Sequence, residues 1–194
     1  MGILHQLKQF AFVKLRILKY KALSTCKQVS GQPKLYHPLL LNGKGKISFG
    51  KNVQIGVVNS PNYYSHYSYF EARCSESEII IGNNVSINNN CSIEALIKIT
   101  IKDDVLIGIN CAILDNDGHH LDTDKRNLGT PNSKAIIIEK NGCISGVYIL
   151  PTNNTDKGLE GHVKEALFAS APWIPALQDG KRLRYKTYFS VQFP

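Results

Sequence analysis

The sequence predicts an all-β fold: a parallel β-helix of hexapeptide repeats, preceded by an amphipathic helix and followed by an atypical mixed C-terminal tail. Three observations carry that prediction. Apolar residues recur every six positions, at Ile79, Val85 and Cys91 and again at Ile99, Val105 and Cys111. An isoleucine stands two positions after each, at Ile81, Ile87, Ile93, Ile101, Ile107 and Ile113. Between these doublets lie Gly, Asn and Asp, the residues that sharp turns favour. Such a rhythm fits neither helical periodicity nor strand alternation. It suits a solenoid in which each hexad is a short strand plus a corner, three hexads make one coil, and stacked coils pair strand on strand. The step from Cys91 to Ile99 is eight residues, so two residues are inserted near Glu94–Ile97.

Composition sets the bounds. At 194 residues the chain is one domain by length, with room for a short appendage. Hydrophobic content of 43% and charged content of 20% are ordinary for a soluble protein. No apolar run approaches the roughly 18 residues of a membrane span, and the N-terminus does not read as a signal peptide. The net charge of +8 is concentrated: residues 1–27 hold six basic side chains and no acidic one. A basic footprint for nucleic acid is therefore absent from the rest of the chain. The five cysteines show no CxxC and no metal-ligand spacing, so no metal is expected. Cys91 and Cys111 fall in the inward slot of the repeat and read as small buried hydrophobes, in a reducing, cytoplasmic setting.

Taken in order, residues 1–28 form a basic amphipathic helix. Leu4, Leu7, Ala11, Leu15 and Leu18 make one stripe over residues 3–23. That stripe either packs on the solenoid or a neighbouring subunit, or lies on anionic lipid at the inner face of the membrane. Residues 28–45 are loop-like, with Gly31, Pro33, Pro38 and Gly43. The β-helix covers 46–150, beginning at Ile47, with loops at 57–75 and 114–134. The first loop clusters Tyr63, Tyr64, Tyr67, Tyr69 and Phe70 with His66, suited to sugar stacking or to subunit packing. The rhythm returns at AIIIEKN (135–141), and the spacing beyond Gly142 and Cys143 is then one residue short. Residues 151–194 show no hexad; a helix at 160–170 and a strand at 185–192 are expected there.

His119 and His120 follow directly on a strand, with Asp115, Asp117 and Asp122 nearby. An imidazole oriented by a carboxylate or carbonyl is a workable general base near neutral pH. The alternative is a turn whose Asp side chains bond the backbone. No GxSxG, Walker-type loop or strand-linked GxGxxG is present.

Residues 47–141 resemble the hexapeptide-repeat acyltransferases, in particular the galactoside, maltose and capsular-polysaccharide O-acetyltransferases. The matching segments are YFEAR (69–73), IGNNVSINNNCSI (81–93), IKDDVLIGINCAILDNDGHH (101–120) followed by LDTDKR, and AIIIEKN (135–141). The resemblance implies a left-handed β-helix, a homotrimer with sites between subunits, and acetyl-CoA as co-substrate. It assigns the general base to His119 of the Gly118-His119 step. It gives contact with a sugar or polysaccharide-precursor acceptor to Asn88, Glu94 and the excursion around Asp117. Asn88 also reads as a plain corner residue. Relatives continue with a Val-Trp doublet and further coils that line the CoA channel. Here Cys143 stands in place of that Trp, and Ser145-Gly146 is the last remnant of the donor site. The tail is therefore divergent or frame-shifted, and a catalytically impaired scaffold that binds sugar is the rival expectation.

Overall fold

The computed structural model describes residues 3–119, 124, 133–144, 148–149, 177–178 and 181–182. A continuous helix opens the chain: α1 (Ile3–Gln9), a π-helical turn (Phe10–Lys14) and α2 (Leu15–Leu23), with helical backbone at both junctions. Fifteen short strands follow in groups of three. They are β1 (Gln28–Ser30), β2 (Lys34–Leu35), β3 (Leu39–Gly43), β4 (Lys46–Phe49), β5 (Gln54–Ile55), β6 (Ser68–Ala72), β7 (Glu78–Ile81) and β8 (Ser86–Ile87). The series continues with β9 (Ser92–Ala95), β10 (Lys98–Ile101), β11 (Leu106–Ile107), β12 (Ala112–Leu114), β13 (Ile136–Ile138), β14 (Cys143–Ile144) and β15 (Tyr148–Ile149). Two further strands, β16 (Leu177–Gln178) and β17 (Lys181–Arg182), pair antiparallel with each other.

Every third strand pairs in parallel, giving three five-stranded sheets: β1-β4-β7-β10-β13, β2-β5-β8-β11-β14 and β3-β6-β9-β12-β15. This is a parallel, β-helix-like fold. Its core lies between the sheets, and the sequence doublets fill it. All twelve doublet residues from Ile79 to Ile113 are buried. They stack in register, Ile79 on Ile99, Ile87 on Ile107 and Ile93 on Ile113, each about one strand spacing from its neighbour. Cys91 and Cys111 are among them. The neighbouring Cys111 thiol and burial push the Cys91 thiol far up, so it stays protonated and packs as a hydrophobe.

The corners follow the turn chemistry. Asn52, Asn84, Asp104 and Asn141 occupy one corner with φ between 55° and 61°, and Asn90 and Asn110 occupy the next, both at 57°. Most of these side chains bond their counterparts in the adjoining coil. Asn52 Nδ2 donates to Asn84 Oδ1 at 3.1 Å, Asn84 Nδ2 to Asp104 Oδ1 at 3.0 Å, and Asn90 Nδ2 to Asn110 Oδ1 at 2.9 Å.

Four features differ from the expectation. The loop expected at 57–75 is interrupted by β6 (Ser68–Ala72), which pairs with β3 and β9. Residues 28–45 are not simply loop: β1, β2 and β3 make a full additional coil. The short spacing after Gly142 is absorbed within the fifth coil, since Ile144 pairs with Ile107 and Ile149 with Ile113. The helix turns its predicted stripe outward. Its docked side buries Val13 and joins the 57–67 loop through Gln9, Arg16 and Tyr20, while Leu7, Leu15 and Leu18 are exposed. The Leu4 side chain, like the helix and strand expected at 160–170 and 185–192, lies outside the described residues. No helix among the described residues is long and apolar enough to cross a membrane.

Candidate functional site

The site is built where the periodicity is interrupted. Two residues, Leu96 and Ile97, link β9 to β10, and the N–H groups of Leu96, Ile97 and Lys98 need an acceptor outside the strand ladder. Asp115, the residue after β12, supplies one. Its side chain is fully buried. Its carboxylate accepts from Leu96 N at 2.6 Å, Ile97 N at 2.7 Å and Lys98 N at 2.7 Å. A buried carboxylate is tolerated when it is this fully hydrogen-bonded. Asn116, also buried, donates to Asp115 Oδ1 and accepts from Gly118 N, closing a turn. Gly118 has φ +71° and open space around its Cα, so the chain reverses without a steric conflict. Asp117 is half-buried within that turn, and His119 emerges from it exposed to solvent. Asp115 is thus a structural anchor, and the excursion that carries His119 is tied to the Glu94–Ile97 insertion.

Glu94 lies on the outer face of the third sheet. It pairs in register with Glu71 on β6, so two carboxylates of like charge stand on neighbouring strands. Arg73 bridges them: Nη2 lies 3.0 Å from Glu71 Oε2 and 3.2 Å from Glu94 Oε2. A single guanidinium cannot fully compensate both. Burial raises the Glu94 carboxyl above its ordinary range, Arg73 opposes the rise, and Glu71 adds to it. Tyr69, two residues before Glu71 on the same face, accepts from Asn42 Nδ2 at 3.1 Å, and burial pushes its hydroxyl up. The face therefore offers carboxylates, a hydroxyl and an amide in a row, the groups that bind sugar hydroxyls.

Asn88 sits elsewhere. It lines a shallow cavity of 230 Å³ on the second sheet with Val57, Ser86, Leu106 and Cys143, and its Oδ1 accepts from Asn89 N at 2.7 Å. The structure thus brings Glu94 together with the His119 excursion and puts Asn88 in a separate, mostly apolar slot. Cys143 and Ile144, which border that slot, lead directly into Ser145 and Gly146, both outside the described residues, as is His120.

Sequence reasoning missed the roles of Glu71, Arg73 and Tyr69, although YFEAR alternates polar and apolar residues as a half-buried strand should. It also missed Asn89. This buried side chain accepts from Val57 N at 3.0 Å and donates to Val57 O and Pro61 O, holding the 57–61 segment against the coil. Of the loop aromatics, Tyr63 is buried and Tyr67 stacks on Tyr20 at 4.4 Å, so both serve packing. Among the described residues, no three His, Cys, Asp or Glu side chains gather as a metal site. No protein-family model, characterised protein or solved structure matches the chain.

Proposed function

We propose that this chain is a CoA-dependent O-acetyltransferase of the hexapeptide-repeat class, a left-handed parallel β-helix acting as a homotrimer. Its acceptor is a sugar hydroxyl, in the setting of surface polysaccharide biosynthesis. The observation that carries this reading is the Asp115 anchor. It ties the segment bearing His119 to the insertion bearing Glu94, and so supports a base and an acceptor-binding carboxylate working at one corner.

In this reading an imidazole nitrogen of His119 takes the proton of the acceptor hydroxyl as that oxygen bonds to the thioester carbonyl carbon. The C–S bond then breaks, and the imidazolium returns the proton to the departing thiolate. Glu94, with Glu71, Arg73 and Tyr69 beside it, orients the acceptor by hydrogen bonds to its other hydroxyls. Holding both substrates on one scaffold supplies rate through proximity. Acetyl-CoA provides the activated acyl group. The slot bounded by Val57, Leu106 and Cys143 suits a slender arm, with apolar walls and Asn88 and Ser86 as its polar groups.

Calorimetry with acetyl-CoA, followed by an acetyl-transfer assay over a panel of sugars, tests the proposal. Donor binding and transfer to at least one sugar are expected. Absence of binding at millimolar donor favours the non-catalytic scaffold, the reading suggested by Cys143 and the unmatched tail.

A further inference from the structure

We propose that the outward face of the N-terminal helix docks onto an anionic lipid surface. The helix cannot hide this face by rolling, because its inner side is fixed to the body. Val13 is 2% exposed, Tyr63 Oη donates to Gln9 Oε1 at 2.5 Å, Arg16 donates to the His66 carbonyl, and Tyr20 stacks on Tyr67. What remains outside combines large apolar side chains with lysines. Leu7 and Leu18 are 59% exposed, Phe12 57% and Leu15 47%, with Phe10 and Leu23 also open. Six large apolar side chains left in water on one helix mark an interaction surface.

The charge around those side chains names the occupant. Lys8, Lys14, Lys19 and Lys21 are all exposed along the same helix, and no acidic residue occurs before Glu71. A second copy packed face to face would bring these lysines against each other with no carboxylate of the helix to offset them. An anionic headgroup layer supplies the opposite sign, while the leucines and phenylalanines sink to the acyl boundary and the lysine stems reach back to the headgroups. Such a helix lies in the plane of the surface rather than across it. The inference is independent of the acetyl-transfer reading and stands whether or not the protein is an enzyme.

Flotation of the full chain with lipid vesicles tests it. Vesicles of phosphatidylcholine with about 30 mol% phosphatidylserine should carry the protein, and vesicles of phosphatidylcholine alone should not. Raising salt from about 0.05 M to about 0.5 M should weaken binding about tenfold or more. The combined Leu7→Gln, Leu15→Gln and Leu18→Gln variant should lose flotation. The combined Lys8→Gln, Lys14→Gln, Lys19→Gln and Lys21→Gln variant should lose it at low salt, where the wild type floats. Both variants change exposed side chains, and circular dichroism verifies their fold. Should they not fold, the two lipid compositions and the salt series decide the matter on the wild type alone. No binding to anionic vesicles, or equal binding to neutral ones, overturns the proposal. Self-association of the free protein that the leucine variant abolishes, without any vesicle binding, overturns it and gives the face to a second copy.

Discussion

Two corners of the coil solve the same problem differently. At the corner of Asn52, Asn84, Asp104 and Asn141, each residue takes positive φ, and most bond the residue above or below, so every coil repeats its neighbour's solution. At the corner of Leu96–Lys98 the connection changes from coil to coil, two residues between β9 and β10 against five between β6 and β7, and a single carboxylate from Asp115 satisfies three N–H groups at once. The first corner is stabilised by repetition and is free of any individual role. The second depends on one residue, Asp115, which also begins the excursion that leads to His119, while Glu94 keeps its register on β9. Scaffold and candidate chemistry divide along that line.

The division can be broken at its strongest point. Asp115→Ala leaves three buried N–H groups without an acceptor and should cost about 3–5 kcal/mol, read as a lowered urea midpoint. Asp115→Asn keeps acceptor capacity on one oxygen and should cost about half as much. At the repeated corner, Asn84→Ala forces an ordinary residue into the left-handed region and breaks two ladder bonds, for a loss of about 1–2 kcal/mol. Asn84→Gly relieves the backbone and should cost clearly less. Equal losses at Asp115 and Asn84 would erase the distinction between the corners.

A third prediction concerns pH. His37 is fully buried, its Nε2 donates to the carbonyls of Asn62 and Ser65, and its Nδ1 has no hydrogen-bond partner among the described residues. Desolvation by burial lowers its pKa in the fold, against the pull of those two carbonyls. In the unfolded chain the ring takes a proton near its ordinary value of about 6.5, before the folded state does. Stability should therefore be full above that value and fall as pH drops toward the lowered folded value. The urea midpoint measured between about pH 7.5 and pH 5 should show this slope, and His37→Gln should flatten it. The smallest effect is expected at Glu94. Its raised carboxyl pKa means the folded state resists ionisation, so this group's contribution to stability falls as pH rises through the carboxylate range. Glu94→Gln should leave stability at neutral pH within about 1 kcal/mol, while weakening acceptor binding, seen as a raised KM for the sugar.

What could be read in advance follows the same contrast. The twelve doublet residues and the positive-φ asparagines were legible because a repeat writes each structural demand several times. The first coil was not. Val29, Leu35 and Leu41 keep the six-residue step and pair with Ile47, Ile55 and Phe70, yet Gly31 and Pro33 interrupt their doublets. Gly31 is required by contact as well as by its φ of +78°, because a Cβ there would lie 2.0 Å from the Phe49 carbonyl oxygen. The helix misled for a different reason. Its regular leucine stripe faces outward, and it docks through Gln9, Arg16 and Tyr20, whose polar side chains give no periodic apolar signal. In the candidate site, Asp115 and His119 stand four residues apart in one excursion, and only the hydrogen bonds separate the anchor from the exposed imidazole. The Glu71–Arg73–Glu94 bridge joins strands whose neighbour relation depends on the coil length, which residue spacing within YFEAR does not contain.

The most direct test compares acetyl transfer by His119→Ala and by Asn84→Ala under conditions where both are fully folded. With His119 as the base, His119→Ala should lose about a hundredfold or more in kcat, while Asn84→Ala should keep the wild-type rate despite its lower stability. Wild-type turnover in His119→Ala, or an equal fall in both variants, would contradict the assignment of chemistry to the aperiodic corner.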